Sequence, residues 1–198
     1  GINISDWDQN WETDSSWNLN KMIEDAHLLN VGVFFTVWVA EDDKNSSLNI
    51  LQVDQGGLAL PERDYYLNKT ISEDKILSAY LKYMVNVFTL LGSPNATFTR
   101  ERMIEVIEFE TEIANITTPM EERREESKLY HQYDIANMSK TYTQINWSHF
   151  INHLLLAVNI TVAPTEKVVL YAPEFLSQLN TILTNYLSTE RGKKILTN

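Results

Sequence analysis

Apolar positions recur at helical spacing along most of the chain, and that pattern predicts a mainly α-helical fold. Leu19, Met22, Ile23, Ala26 and Leu29 form a first stripe. Asp14, Ser15 or Ser16 can cap that helix, which should run to about Asn30. The clearest stripe holds Ile76, Leu77, Tyr80, Leu81, Met84, Val85, Phe88 and Leu91; it opens at Ser72 and stops at Gly92. After the break Gly92-Ser93-Pro94, Thr97 or Thr99 is expected to cap a helix with Met103, Val106, Ile107, Ile113 and Ala114 inward. Asp134 is placed to cap a short helix. Asn146 caps one that carries Trp147, Phe150, Ile151, Leu154, Leu155 and Val158 on one side. Pro173 fits the first turn of a last long helix bearing Phe175, Leu176, Leu179, Ile182, Leu183 and Tyr186.

The helical period breaks in two places. "GVFFTVWVA" at 32–40 and "LNILQVD" at 48–54 are rich in β-branched and aromatic residues, and predict a hairpin around a polar loop at Asp42–Ser47. "KVVLY" at 167–171 reads as one further short strand. The expected architecture is therefore a multi-helix lobe with a small β-hairpin and one further short strand. The second hairpin strand runs into "QGGLALPERDYYLN". There Gly56 and Gly57 permit a sharp turn with positive φ, Leu58 and Leu60 point inward, and Pro61 starts a short helical turn. This stretch reads as a fold corner that orients Tyr65 and Tyr66.

Composition narrows the function. The 198 residues are 43% hydrophobic, enough for a sizeable core. A net charge of −11 argues against nucleic acid and against an anionic membrane surface. The apolar run from Leu28 to Ala40 is too short to span a bilayer. The chain begins "GINISDWD", with no basic start and apolar block of a signal peptide, which suggests that Gly1 is not the natural start. Asn-x-Ser/Thr sequons occur at Asn3, Asn45, Asn68, Asn95, Asn115, Asn137, Asn146 and Asn159. The 18 Asn and 30 Ser plus Thr would give roughly three by chance. The excess points to the secretory pathway, with Asn146 the weakest acceptor because its side chain is needed as a helix cap. The chain has no cysteine, so thiol chemistry is excluded.

No complete catalytic set is present. His149 and His153 stand at i, i+4 and could share a metal, but Phe150 stands where a zincin carries its Glu; hydrogen-bonded or solvated histidines are the plainer reading. His27 and His131 stand apart from them. Glu101, Glu105, Glu108 and Glu112 step along one helix and fit its wet face better than a metal or acid–base site. The run from Glu121 to Glu126 carries both signs and reads as a surface ion-pair network.

"LQVDQGGLALPERDYYLNKT", "FETEIANITTPMEERREESKLYH" at 109–131 and "VVLYAPEFLSQL" at 168–179 resemble, in order, the amino-terminal half of the neprilysin and endothelin-converting-enzyme family of zinc metalloendopeptidases. "SWNLNKMI" and "FFTVWVAEDDKNSSLNILQVDQ" fit the same region, so the likeness spans nearly the whole chain. Tyr133 and Glu125 depart from it, standing where the family commonly has Met and Asp. The resemblance implies a secreted or membrane-anchored peptidase with two largely helical lobes around a closed cavity. Its zinc ligands, His-Glu-x-x-His and a distant Glu, lie downstream of the matched part. It implies that residues 1–198 are a single segment of the smaller, cavity-covering lobe, with the catalytic zinc lobe absent and no zinc bound by the segment. Its implied partners are the catalytic lobe of the same protein and peptide substrates; a homodimer is allowed, and nucleic acid is not expected. Gln55, Gly57, Leu58, Leu60, Pro61, Arg63, Asp64, Tyr65 and Tyr66 are carried over as a structural signature. The rival reading is a family member that has lost its catalytic half and acts as an extracellular binding protein.

Overall fold

The computed structural model describes residues 17–93, 95–125 and 128–197. Asn3, the proposed caps Asp14, Ser15 and Ser16, and Pro94 lie outside the described residues. Seven α-helices and four strands follow in the order α1 (Leu19–Leu28), β1 (Phe35–Asp42), β2 (Asn45–Gln55), α2 (Lys75–Leu90), α3 (Ala96–Ile116), β3 (His131–Asp134), α4 (Ile135–Thr141), α5 (Trp147–Leu155), β4 (Lys167–Leu170), α6 (Pro173–Leu187) and α7 (Glu190–Thr197). The fold is mainly helical, as the spacing predicts.

The chain divides into two units. One takes residues 18–57 and 116–183; the other takes Trp17 and residues 58–115 and 184–197. In the first unit the strand order is β1-β2-β4-β3. β1 and β2 form the expected antiparallel hairpin, with Phe35 opposite Gln55. β2 then pairs in parallel with β4, Leu51 opposite Val168, and β3 pairs antiparallel with β4. Val53, Val168, Val169 and Leu170 are buried, as expected of central strands covered on both faces. Beside the sheet lies an aromatic cluster. Phe35 packs 4.8 Å from Trp147 and 5.3 Å from Phe150 between ring centroids. Ile135, Met138, Phe175, Leu176 and Leu179 are also buried in this unit. The second unit has its own core of Tyr66, Leu77, Leu81, Met84, Met103, Ile107 and Ala114, lined by Leu58, Leu60 and Tyr65.

Several boundaries differ from the expectation, each for a local reason. Helix α1 is capped by Asn18, whose side chain accepts from Lys21 N. Helix α2 opens at Asp74 rather than Ser72, because Asp74 accepts from both Ile76 N and Leu77 N. Of its stripe, Leu77, Leu81 and Met84 are buried, while Ile76 and Leu91 are exposed. Helix α3 is capped by Asn95, which accepts from Thr97 N and Phe98 N; Thr99 lies inside the helix, fully buried. The hairpin loop is only Asp43-Lys44, because Asp42 accepts from Lys44 N and tightens the turn, so Asn45 already belongs to β2. Asp134 and Asn146 cap α4 and α5 as expected. Strand β3 and helix α7 are additions that the pattern did not announce.

Candidate functional site

The stretch from Gln55 to Tyr66 is built by an unusual number of polar contacts. Gln55 Nε2 donates to the Thr118 carbonyl and Gln55 Oε1 accepts from Thr118 N, both at 3.0 Å. That reciprocal pair ties the end of β2 to the start of the charged connection. Neither Gly56 nor Gly57 has positive φ, which corrects the expected turn. Gly56 serves close approach instead: a Cβ there would sit 2.6 Å from the Phe34 carbonyl carbon. Gly57 faces open space. Pro61 precedes a single 3-10 turn at Arg63–Tyr65. Arg63 reaches the Asn115 carbonyl at 3.5 Å, and Asp64 is exposed. Tyr65 lies under the Lys69 ammonium. Tyr66 is buried; its hydroxyl accepts from Leu60 N at 2.9 Å and donates to Glu110.

Glu110 is the carboxyl that periodicity alone could not single out. It lies between Glu108 and Glu112 of the noticed acidic row, two positions from each, and meets Tyr66, Tyr80 and the backbone N–H of Ala59. Burial raises its pKa above the ordinary carboxylate value, outweighing those hydrogen bonds, which pull it down. Burial likewise holds the Tyr66 and Tyr80 hydroxyls protonated far above neutrality. The folded state therefore favours the protonated Glu110. Stability from this preference is complete below the ordinary carboxylate range and is lost as pH rises through the raised value. Glu110→Gln should remove this slope: its melting temperature relative to the unsubstituted chain is expected to climb from acidic to neutral pH. Equal pH profiles by calorimetry would contradict the assignment.

The row of Glu101, Glu105, Glu108 and Glu112 is a wet face only in part. Glu105 bridges Arg102 and Arg191, each at 2.8 Å, and Glu112 accepts from the Tyr186 hydroxyl at 2.8 Å. Of the charged run, Glu126 lies outside the described residues, and the rest is not merely a surface network. Arg123 holds both oxygens of Asp54, at 2.7 and 2.8 Å, and both side chains are largely buried. His149 Nδ1 meets Glu24 at 2.7 Å, and its ring stacks on His153 at 5.9 Å. His27 is set between Phe35 and Phe150, where burial lowers its pKa. His131 contacts the Leu129 carbonyl.

The sequons divide by geometry. Asn68 and Asn159 are exposed and left-handed, with φ of 55° and 56°. Asn45 and Asn115 are exposed on β2 and near the end of α3. Asn95 and Asn146 accept helix-capping hydrogen bonds, and Asn137 Nδ2 donates to Asp134 at 2.8 Å.

Among the described residues, no three of His, Cys, Asp and Glu come together to hold a metal, and the sequence holds no His-Glu-x-x-His. No helix among the described residues is long and apolar enough to cross a membrane.

A family model described as Peptidase family M13 matches residues 2–196. The chain is 45% identical to an endothelin-converting enzyme homolog of Locusta migratoria over 184 residues, 92% of this chain and 25% of that protein. It is 40% identical to neprilysin-3 of Drosophila melanogaster over 185 residues, 93% of this chain and 23% of that protein. The fold matches a crystal structure of the Mycobacterium tuberculosis zinc metalloprotease Zmp1 in complex with an inhibitor, with a TM-score of 0.75, 19% identity, and coverage of 92% of this chain and 27% of that one. The chain thus spans about a quarter of the length of these relatives.

Proposed function

The chain belongs to peptidase family M13, and from that membership we propose that it is a segment of the non-catalytic lobe of a zinc metalloendopeptidase that cleaves peptides. In this reading the segment covers the cavity of the whole protein and restricts access to peptide-sized substrates. The family match along nearly the full chain carries the proposal. The whole protein would be extracellular or at the cell surface, with its catalytic lobe and peptide substrates as partners; a homodimer is compatible with it, and nucleic acid is not.

The test compares this chain with the whole protein in a fluorogenic peptide assay. Chelator-sensitive turnover is expected from the whole protein and none from the chain alone. Peptides should be cleaved up to a length limit while folded proteins are spared. If the whole protein lacks turnover and a His-Glu-x-x-His, the extracellular binding-protein reading replaces this one. Location has a separate readout. Made in a secretory host, the chain is expected to lose mass on enzymatic deglycosylation, through Asn68, Asn159 and Asn45 before Asn146. An unchanged mass would leave the sequon excess as capping and turn chemistry.

A further inference from the structure

We propose that His149 and His153, with Glu24 behind them, form a labile binding site for a divalent transition-metal ion such as Zn2+ or Ni2+. The inference is independent of the peptidase reading, because it rests only on the packing of α1 against α5. Histidines at i, i+4 share a helix face, one turn apart. Their rings lie 5.9 Å apart between centroids and within 15° of parallel. A metal–nitrogen bond of about 2.0–2.1 Å places each imidazole centroid roughly 3.2 Å from the ion. Two rings on one ion are therefore separated by less than about 6.4 Å. The observed spacing falls inside that limit; because the rings stand nearly parallel, the His153 ring has to turn about its side-chain bonds for both Nε2 atoms to reach one ion.

Glu24 provides the second observation. Its side chain is 6% exposed, although glutamate is rarely buried without a reason. Its carboxylate meets Nδ1 of His149 at 2.7 Å. When Nδ1–H donates to Glu24, the Nε2 lone pair of His149 is left free, and a carboxylate behind a histidine fixes its orientation. Such an arrangement is the usual support of a metal-ligating histidine. The rings border an open cleft of about 510 Å³ that is also lined by Asn18, Asn20, Lys21 and Asn146. Water can complete the coordination from that side. Lys21, which lies on the rim, is paired with Asp25 at 2.9 Å, so it does not present an uncompensated charge to an incoming ion. With two protein ligands the site exchanges its ion readily. It prefers the ions that favour imidazole nitrogen over those that favour oxygen cages.

Titration calorimetry of the 198-residue chain with Zn2+ and with Ni2+ tests the proposal, with side-chain NMR of the histidines as the site-specific readout. One ion per chain is expected, with shifts confined to His149 and His153. Binding should weaken on acidification, because only neutral imidazole is a ligand. His153→Ala should abolish binding and leave the melting temperature close to the parent value, since that ring is not in the core. Glu24→Gln keeps an acceptor for His149 Nδ1–H and should lower affinity by about 10–100-fold. His131→Ala should change nothing. Equal affinity in the unsubstituted chain and His153→Ala, shifts at His131 instead, an unaltered affinity in Glu24→Gln, or no binding by the unsubstituted chain would each overturn the proposal.

Discussion

Trp147→Ala is expected to lower stability by about 3–5 kcal/mol, the range for truncating a fully buried large aromatic residue. Trp147 has no exposed surface, and it packs against Phe35, Phe150 and Tyr142. Its indole N–H also donates to the Tyr142 carbonyl at 3.2 Å inside the core, so the truncation strands that acceptor as well. Phe35 comes from β1, far in sequence from α5 and the end of α4 that supply Phe150 and Tyr142, so the rings cannot simply collapse together into the space. Trp38→Ala provides the internal comparison. Trp38 is 37% exposed and stacks on Tyr171 at the surface, so its loss should cost far less. Denaturant unfolding of both variants measures the difference. Similar midpoints would mean that the aromatic cluster does not carry the sheet-bearing unit.

The second large effect lies at adjacent glycines. Gly56→Ala should destabilise by about 3 kcal/mol, at the upper end for overpacking. The new methyl group would stand 2.6 to 2.8 Å from the carbonyl carbon and oxygen of Phe34 and from Phe35 N. These are backbone atoms, so relief requires moving the start of β1, and with it Phe35, which is fully buried. Gly57→Ala meets nothing within 4 Å and needs no positive φ. It should be neutral or stabilise by about 0.4–1 kcal/mol through the unfolded chain. A large loss at Gly56 and none at Gly57 is the expected result of paired melting experiments. Equal effects would refute the close-approach role of Gly56.

The helices were legible because each buries a stripe of residues that recur at one period. Phe150 and Ile151 on α5, and Leu176 and Leu179 on α6, announce their own element. Strand β3 was not legible. "HQYD" is short and polar, and it forms a strand because β4 offers it an edge, which is a property of another segment. Helix α7 is mostly polar, with Gly192 inside it, and its apolar content is too low to mark a face. Capping was misread where several candidates stood close together: Asp74 displaced Ser72, and Asn95 displaced the threonines. Glu110 was invisible because burial, rather than spacing, distinguishes it from Glu108 and Glu112. The partner of Arg123 was equally hidden, since Asp54 lies 69 positions away.

The parallel pairing of Leu51 with Val168 sets the timing of folding. The hairpin is complete once Gln55 has been made, yet its inner edge has no neighbour until β4 appears more than a hundred residues later. At about 5–20 residues per second, a ribosome needs roughly 6–23 s to supply that strand. During this interval the hydrogen-bonding groups of β2 form an open edge, able to join a strand from another nascent chain. Residues 58–115 emerge in the same interval and can build a separate core meanwhile. Aggregation in a cell-free synthesis should therefore peak for chains halted between about residues 60 and 165, and fall once Leu170 has cleared the exit tunnel.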